Sequence, residues 1–271
     1  MPDAPHGTRT YSYLGPAGTF TEAALAQVPE AAGQIWKPVA NVAQALADGE
    51  IDPAAVDRAA GLVLEMLRKG RAAHDENADY DAEAHHRIAL EAARRAIVLL
   101  TNNGILPLPE ERAEATDRPL AVIGDFAATP RYQGAGSSHV NPTRLTTALE
   151  AIRGIAGEVP FARGFAAGGA EDDDALRAEA VELARAAGTV VLFLGLGEDV
   201  ESEGYDRTDM ELPAVQESLL EDVLAVNDRV VVVLSNGSAI RLSPTLRSVP
   251  ALLEAWLLGQ AGGEATADVL F

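Results

Sequence analysis

Seven carboxylates crowd one short polar stretch: Glu198, Asp199, Glu201, Glu203, Asp206, Asp209 and Glu211 all fall between Gly197 and Pro213. Acid–base chemistry needs a carboxyl group whose pKa is raised by burial or by neighbouring negative charge, and this stretch offers candidates for both. The competing expectation is a solvated acidic loop, since charge runs usually face water and this chain is acidic throughout.

The elements that would position these groups are legible around them. Thr189 to Leu194 is a continuous apolar run with β-branched residues, the pattern of a strand buried on both faces. Gly195 and Gly197 end it, and the carboxylates follow. In an open α/β sheet the loops beyond the carboxyl ends of the strands are where ligands bind. From Pro119 onward strands and helices alternate. Leu120–Ile123, a weak strand within Val159–Phe165, Thr189–Leu194, Arg229–Leu234 and Leu252–Trp256 read as strands. Arg144–Ile155, Asp173–Ala187, Pro213–Val226 and Gly259–Leu270 read as helices. This order predicts βαβ units with right-handed crossovers. The fold class expected is α/β, a three-layer sandwich with a mainly parallel sheet flanked by helices, plus a small N-terminal β-α segment.

The run Glu201-Ser-Glu-Gly-Tyr-Asp-Arg207, followed by Met210-Glu-Leu-Pro213 and Gln216, resembles the second-domain loop of family 3 glycoside hydrolases of the bacterial β-glucosidase type. That resemblance implies hydrolysis of glycosyl bonds and gives Glu203 the role of general acid/base, with Glu201 as the alternative. A second loop supports it. Gly124 to Pro142 resembles the family's Gly-rich loop facing the sugar, with Gly134 and Gly136 allowing close backbone approach and Arg131, Ser137 and Ser138 offering donors. By the same resemblance Tyr205, Asp206 and Arg207 join Arg131, Ser137 and Ser138 as expected substrate-binding residues. Gly134-Ala-Gly-Ser-Ser-His139 and Gly195-Leu-Gly-Glu-Asp-Val200 each lack the third glycine of a dinucleotide loop, and carboxylates follow in the second, so nucleotide binding is not expected. Ser235-Asn-Gly-Ser238 ends another strand and reads as a plain turn.

Composition narrows the classes further. With 41 acidic against 21 Lys and Arg residues the formal net charge is −20, which argues against nucleic acid or an anionic membrane as partner. There is no cysteine, hence neither a disulfide framework nor a Cys-based metal site. His74, His85 and His86 lack metal-site spacing, so no metal or other cofactor is expected. No apolar run reaches the ~18–20 residues of a membrane helix. The start of the chain shows no basic and then apolar leader, which implies a cytoplasmic location.

The chain divides into three stretches, 1–48, 49–112 and 113–271. Tyr13-Leu-Gly-Pro-Ala-Gly-Thr-Phe-Thr-Glu-Ala-Ala24 and Lys37-Pro-Val-Ala-Asn-Val-Ala-Gln-Ala-Leu46 resemble the opening β-α-β-α piece of prephenate dehydratase, without that family's later catalytic motif. Asp48 to Leu67 resembles the last barrel helix of the glycosidase family, with Asp52 as cap, Pro53 in the first turn and a stripe of Val56, Ala60, Val63 and Leu67. The polar residues 70–83 read as a linker, and His86 to Leu100 as a helix running into a short apolar stretch. The glycosidase resemblance runs from Gly49 to Phe271, and relatives continue beyond the point matching Phe271. In that family the barrel carries the nucleophilic aspartate, and a retaining enzyme needs two carboxyl groups about 5–5.5 Å apart. Only one of them is assigned in this chain. The leading expectation is therefore a glycosidase fragment that holds the acid/base loop and is inactive alone. The alternatives are a carbohydrate-binding or assembly module completed by a partner chain, or a prephenate-dehydratase-related protein. The expected partners are a β-linked glucoside or oligosaccharide and, through the exposed stripe of residues 53–67, a second copy of the chain.

Overall fold

The computed structural model describes residues 8–49, 51–109, 119–168, 173–204 and 206–271. It divides into two units, residues 1–79 and 80–271.

In the first unit, β1 (Thr10–Leu14) and β2 (Ile35–Val39) pair in parallel, with α1 (Phe20–Leu25) between them and α2 (Val42–Ala47) after. Little is buried: Tyr13, Ala31 and Ala45 form the interior. Tyr13 donates its hydroxyl to Glu22 Oε1 (3.1 Å), and Trp36 Nε1 donates to Ala31 O (2.9 Å). The third helix, α3 (Pro53–Ala72), is capped by Asp52, which accepts from Ala54 N at 3.0 Å, with Pro53 pre-set for the first turn. It runs three residues, 70–72, into the stretch read as a linker. None of its residues is buried, and Leu62, Val63, Leu64, Met66 and Leu67 are all exposed.

The second unit is built on a six-stranded sheet of order β3-β8-β7-β6-β4-β5. Its strands are β3 (Val98–Asn102), β4 (Leu120–Ile123), β5 (Phe161–Ala162), β6 (Thr189–Gly195), β7 (Val230–Ser235) and β8 (Ala251–Glu254). All neighbours are parallel except β3, which runs antiparallel to β8. Helices α4 (Ala82–Ala96), α5 (Ala148–Ala156) and α9 (Gly262–Leu270) pack together, as do α6 (Asp173–Ala186), α7 (Ala214–Val226) and α8 (Pro244–Ser248). The result is the three-layer α/β arrangement expected from the alternation of elements. Val190–Leu194 and Val230–Leu234 are essentially without solvent exposure, as β-branched runs between two helical layers should be.

Several boundaries differ from the sequence reading, for local reasons. The helix expected from Arg144 begins at Ala148, because Thr147 and Glu150 form a reciprocal capping box. The last helix begins at Gly262 after a 3₁₀ turn over Gly259–Ala261. The apolar stretch after α4 is the edge strand β3, satisfied by pairing with β8. The strand expected to reach Trp256 stops at Glu254, since Trp256 takes a left-handed φ of 56°. Among the described residues no helix is long and apolar enough to cross a membrane.

Candidate functional site

The carboxyl ends of β4, β6, β7 and β8 lie side by side, with Gly195 opposite Ser235 and Leu234 opposite Glu254. Glycine is required at the end of β6: a Cβ on Gly195 would stand 2.0 Å from Ser235 O. The side chain of Gln216, buried on α7, then grips this residue from both sides. Gln216 Oε1 accepts from Gly195 N (2.8 Å) and its Nε2 donates to Gly195 O (2.9 Å). The departure point of the acidic loop is thereby pinned to a helix.

From there the chain makes one turn, closed by Glu201 N donating to Gly197 O at 2.9 Å. The turn aims Glu201 inward. Glu201 Oε2 accepts from Gly237 N (2.7 Å), and Oε1 accepts from the Ser238 hydroxyl. The guanidinium of Arg131 lies 3.9 Å away. Two residues on, Glu203 is exposed, and its Oε2 accepts the Ser137 hydroxyl. Gly136, at φ 74°, lets the Gly-rich loop pass close by: a Cβ there would lie 3.5 Å from that of Glu203. The two carboxylates thus sit in different surroundings, Glu201 with both oxygens occupied and Glu203 facing outward with one hydroxyl partner.

Both line one open pocket of ≈ 440 Å³, together with Arg131, Gly134, Ala135, Ser137, Ser138, Ser202, Gly237 and Leu257. Arg131 is 8% exposed and ties the two loops together. Its Nε donates to Leu196 O (3.2 Å), its Nη2 to Glu201 O (2.8 Å) and its Nη1 to Gln133 O. Ser138 donates to Ala135 O at 3.1 Å, an interaction within its own loop. Of the remaining expected residues, Asp206 is exposed and stands apart from the pocket wall. Arg207 also stands outside the wall, with Nη1 donating to Ser238 Oγ and Ala239 O, each at 3.0 Å. Tyr205 lies outside the described residues. His139 Nε2 lies 3.0 Å from Glu198 Oε1, a second bridge between the loops.

Two contributors escaped the sequence reading. The Ser235–Ser238 stretch is more than a plain turn, because Gly237 lines the pocket and both Gly237 and Ser238 bind Glu201. Glu254, at the end of β8, is only 6% exposed, and burial pushes its carboxyl pKa up, with the charge of Glu201 adding to the effect. A carboxylate inside a strand of apolar residues was the available signal. Among the described residues no group of three His, Asp or Glu side chains is arranged to hold a metal ion. The pocket therefore sets one exposed carboxyl, held only by the Ser137 hydroxyl, among polar groups, a set suited to a hydroxyl-rich ligand and to proton transfer.

Residues 97–271 match the model of the glycosyl hydrolase family 3 C-terminal domain. The chain is 48% identical over 238 residues to the exo-α-(1→6)-L-arabinopyranosidase of Bifidobacterium longum, covering 85% of this chain and 31% of that protein. It is 39% identical over 235 residues to thermostable β-glucosidase B of Acetivibrio thermocellus, covering 85% of this chain and 30% of that one. The crystal structure of the GH3 β-glucosidase of Bifidobacterium adolescentis superposes with a TM-score of 0.72 at 42% identity, over 88% of this chain and 35% of that chain. The chain thus spans about a third of the length of these relatives.

Proposed function

The chain belongs to glycosyl hydrolase family 3, and from that premise we propose that it carries the acid/base part of a retaining β-glucosidase-type active site. Glu203 protonates the oxygen of the departing group, then as a carboxylate takes a proton from the water that completes hydrolysis. The observation that carries this assignment is the contrast within the pocket. Glu203 is exposed with a single hydroxyl partner, whereas Glu201 has both oxygens engaged. Ser137 orients Glu203, and Arg131 holds the two loops that form the pocket. Ser138, Tyr205, Asp206 and Arg207 complete the proposed substrate-binding set, Arg207 acting through Ser238.

The nucleophile comes from a barrel domain, as the resemblance implies, so this chain is inactive by itself. Its substrate is a β-linked glucoside or oligosaccharide. The arabinopyranosidase relative makes an arabinopyranoside the next substrate to try. The test is hydrolysis of aryl β-glucoside and aryl α-L-arabinopyranoside by the chain alone and with a separately expressed family 3 barrel domain. Turnover only in the mixture, lost in Glu203→Gln, is the expected result. Turnover by the chain alone, or turnover indifferent to Glu203→Gln, overturns the reading.

A carbohydrate-binding or assembly module is the second reading, favoured by the exposed apolar residues of α3. Sugar binding without turnover in the mixture would select it. The resemblance of residues 10–46 to prephenate dehydratase finds no support in the comparisons. We propose no catalytic role for that segment and expect no conversion of prephenate to phenylpyruvate.

A further inference from the structure

The end of β8 holds a carboxyl group that the proposed chemistry does not use. In Ala251–Glu254 three residues are apolar core and the fourth is a glutamate at 6% exposure. An ionisable group persists in such a place only when its oxygens are satisfied. Glu254 Oε1 accepts from Trp256 N at 3.0 Å, and Oε2 accepts from Asn236 Nδ2 at 3.2 Å. Asn236 is fully buried, and the same Nδ2 donates to Ser238 O at 3.0 Å. The Asn236 amide therefore clamps two things at once: the carboxyl of Glu254 and the turn after β7. From that turn Gly237 N and Ser238 Oγ reach the two oxygens of Glu201. Arg207 steadies Ser238 from the other side.

We propose that Glu254 is a positioning residue for this site: through Asn236 it fixes the turn whose Gly237 amide and Ser238 hydroxyl hold Glu201 in the pocket wall beside Glu203. The inference deepens the acid/base reading of the pocket and rests on it for its functional meaning. Two further observations agree. Among the described residues Trp256 alone is a non-glycine with positive φ, and Glu254 Oε1 is the acceptor for its amide, so the carboxyl also secures a strained backbone position. Burial pushes the Glu254 carboxyl pKa up and the charge of Glu201 adds to the rise, so the two carboxyls sense each other across the turn.

The test follows the Gly237 amide resonance of the ¹⁵N-labelled chain. That proton is donated to Glu201, so its position reports the contact. Glu254→Gln keeps the volume and an oxygen for Trp256 N but sets an amide NH₂ against Asn236 Nδ2, so it breaks the clamp from the Glu254 side. Asn236→Ala removes the clamp with Glu254 intact. Both should move the Gly237 resonance upfield. An unmoved Gly237 in folded Asn236→Ala overturns the proposal, and so does an unmoved Gly237 in folded Glu254→Gln. Loss of the fold in both variants would show a purely structural role and overturn it too. The readout needs no turnover, so it fails independently of the acid/base reading, whose own failure is turnover indifferent to Glu203→Gln.

Discussion

Strands β1 and β6 are built from similar material and end up in opposite situations. β1, Thr10–Leu14, has one buried residue, whereas β6, Thr189–Gly195, has six of its seven residues buried. The first pairs with a single neighbour and is accompanied by two helices of six residues each. The second lies between two parallel neighbours and under helical layers. A two-stranded sheet is marginal in water because it cannot exclude solvent from both faces. A covered central strand holds its own end still, and the loop that leaves it inherits that rigidity. Glu201 and Glu203 are presented from such an end, while among the described residues of the first unit only Tyr13, Ala31 and Ala45 are buried.

The difference is broken most directly in the core. Leu192 has no solvent exposure, so Leu192→Ala should cost about 2–5 kcal/mol in urea denaturation. Ile35, in β2, is 54% exposed, and Ile35→Ala should change stability by no more than ~0.5 kcal/mol. Comparable losses at the two sites would mean that the first unit has a core of its own.

A smaller effect is expected at the pin between helix and strand. Gln216→Ala leaves Gly195 N–H and C=O without their side-chain partners in a dry place, at a cost of ~1–3 kcal/mol. It should also loosen the acidic loop, which hydrogen exchange at Glu201 N would register. Faster exchange with little loss of stability would show that the pin acts on the loop more than on the fold.

How far the sequence reveals all this follows the same divide. β4, β6 and β7 are legible because burial on both faces demands unbroken apolar runs. The acid loop is legible because glycines and carboxylates interrupt such a run abruptly. β3 escapes because Val98, Leu99 and Leu100 are partly exposed on an edge, and a short apolar stretch after a helix carries no period of its own. Glu254 and the Ser235–Ser238 turn escape for another reason. Their importance lies in contacts between residues 18 and 36 positions apart, and no local pattern encodes those.

Two carboxyls, Glu254 buried and Glu264 partly buried, should shift stability with pH in opposite directions. For Glu264 burial raises the pKa, but hydrogen bonds from His86 and Thr146 and the charges of Arg144 and His86 outweigh it, so the net shift is downward. A lowered folded pKa contributes stability above the unfolded value near ~4.3, lost as pH falls through the folded pKa. Glu254 is raised by burial, so its contribution is complete below the unfolded value and lost as pH rises through the folded pKa. Melting temperatures between pH 3 and 8 should therefore show Glu264→Gln most harmful at the upper end. Glu254→Gln should be relatively better there than in acid. Parallel pH profiles for the two variants would contradict the opposite environments.

The smallest expected effect on stability belongs to α3, and it separates folding from association. Leu62, Leu64, Met66 and Leu67 are 75%, 66%, 63% and 58% exposed. Residues that bury nothing contribute nothing through burial, so Leu62→Gln with Leu67→Gln should alter stability by no more than ~0.5 kcal/mol. Contiguous apolar surface favours self-association, whereas the net charge of −20 opposes it over a range that shrinks as salt is added. The wild-type chain should therefore form dimers or larger species that grow with ionic strength, and the double variant should form fewer at every salt concentration. Light scattering at low and high salt measures both. A wild-type chain that stays monomeric throughout would remove the association, and an unfolded double variant would mean that α3 packs against something after all.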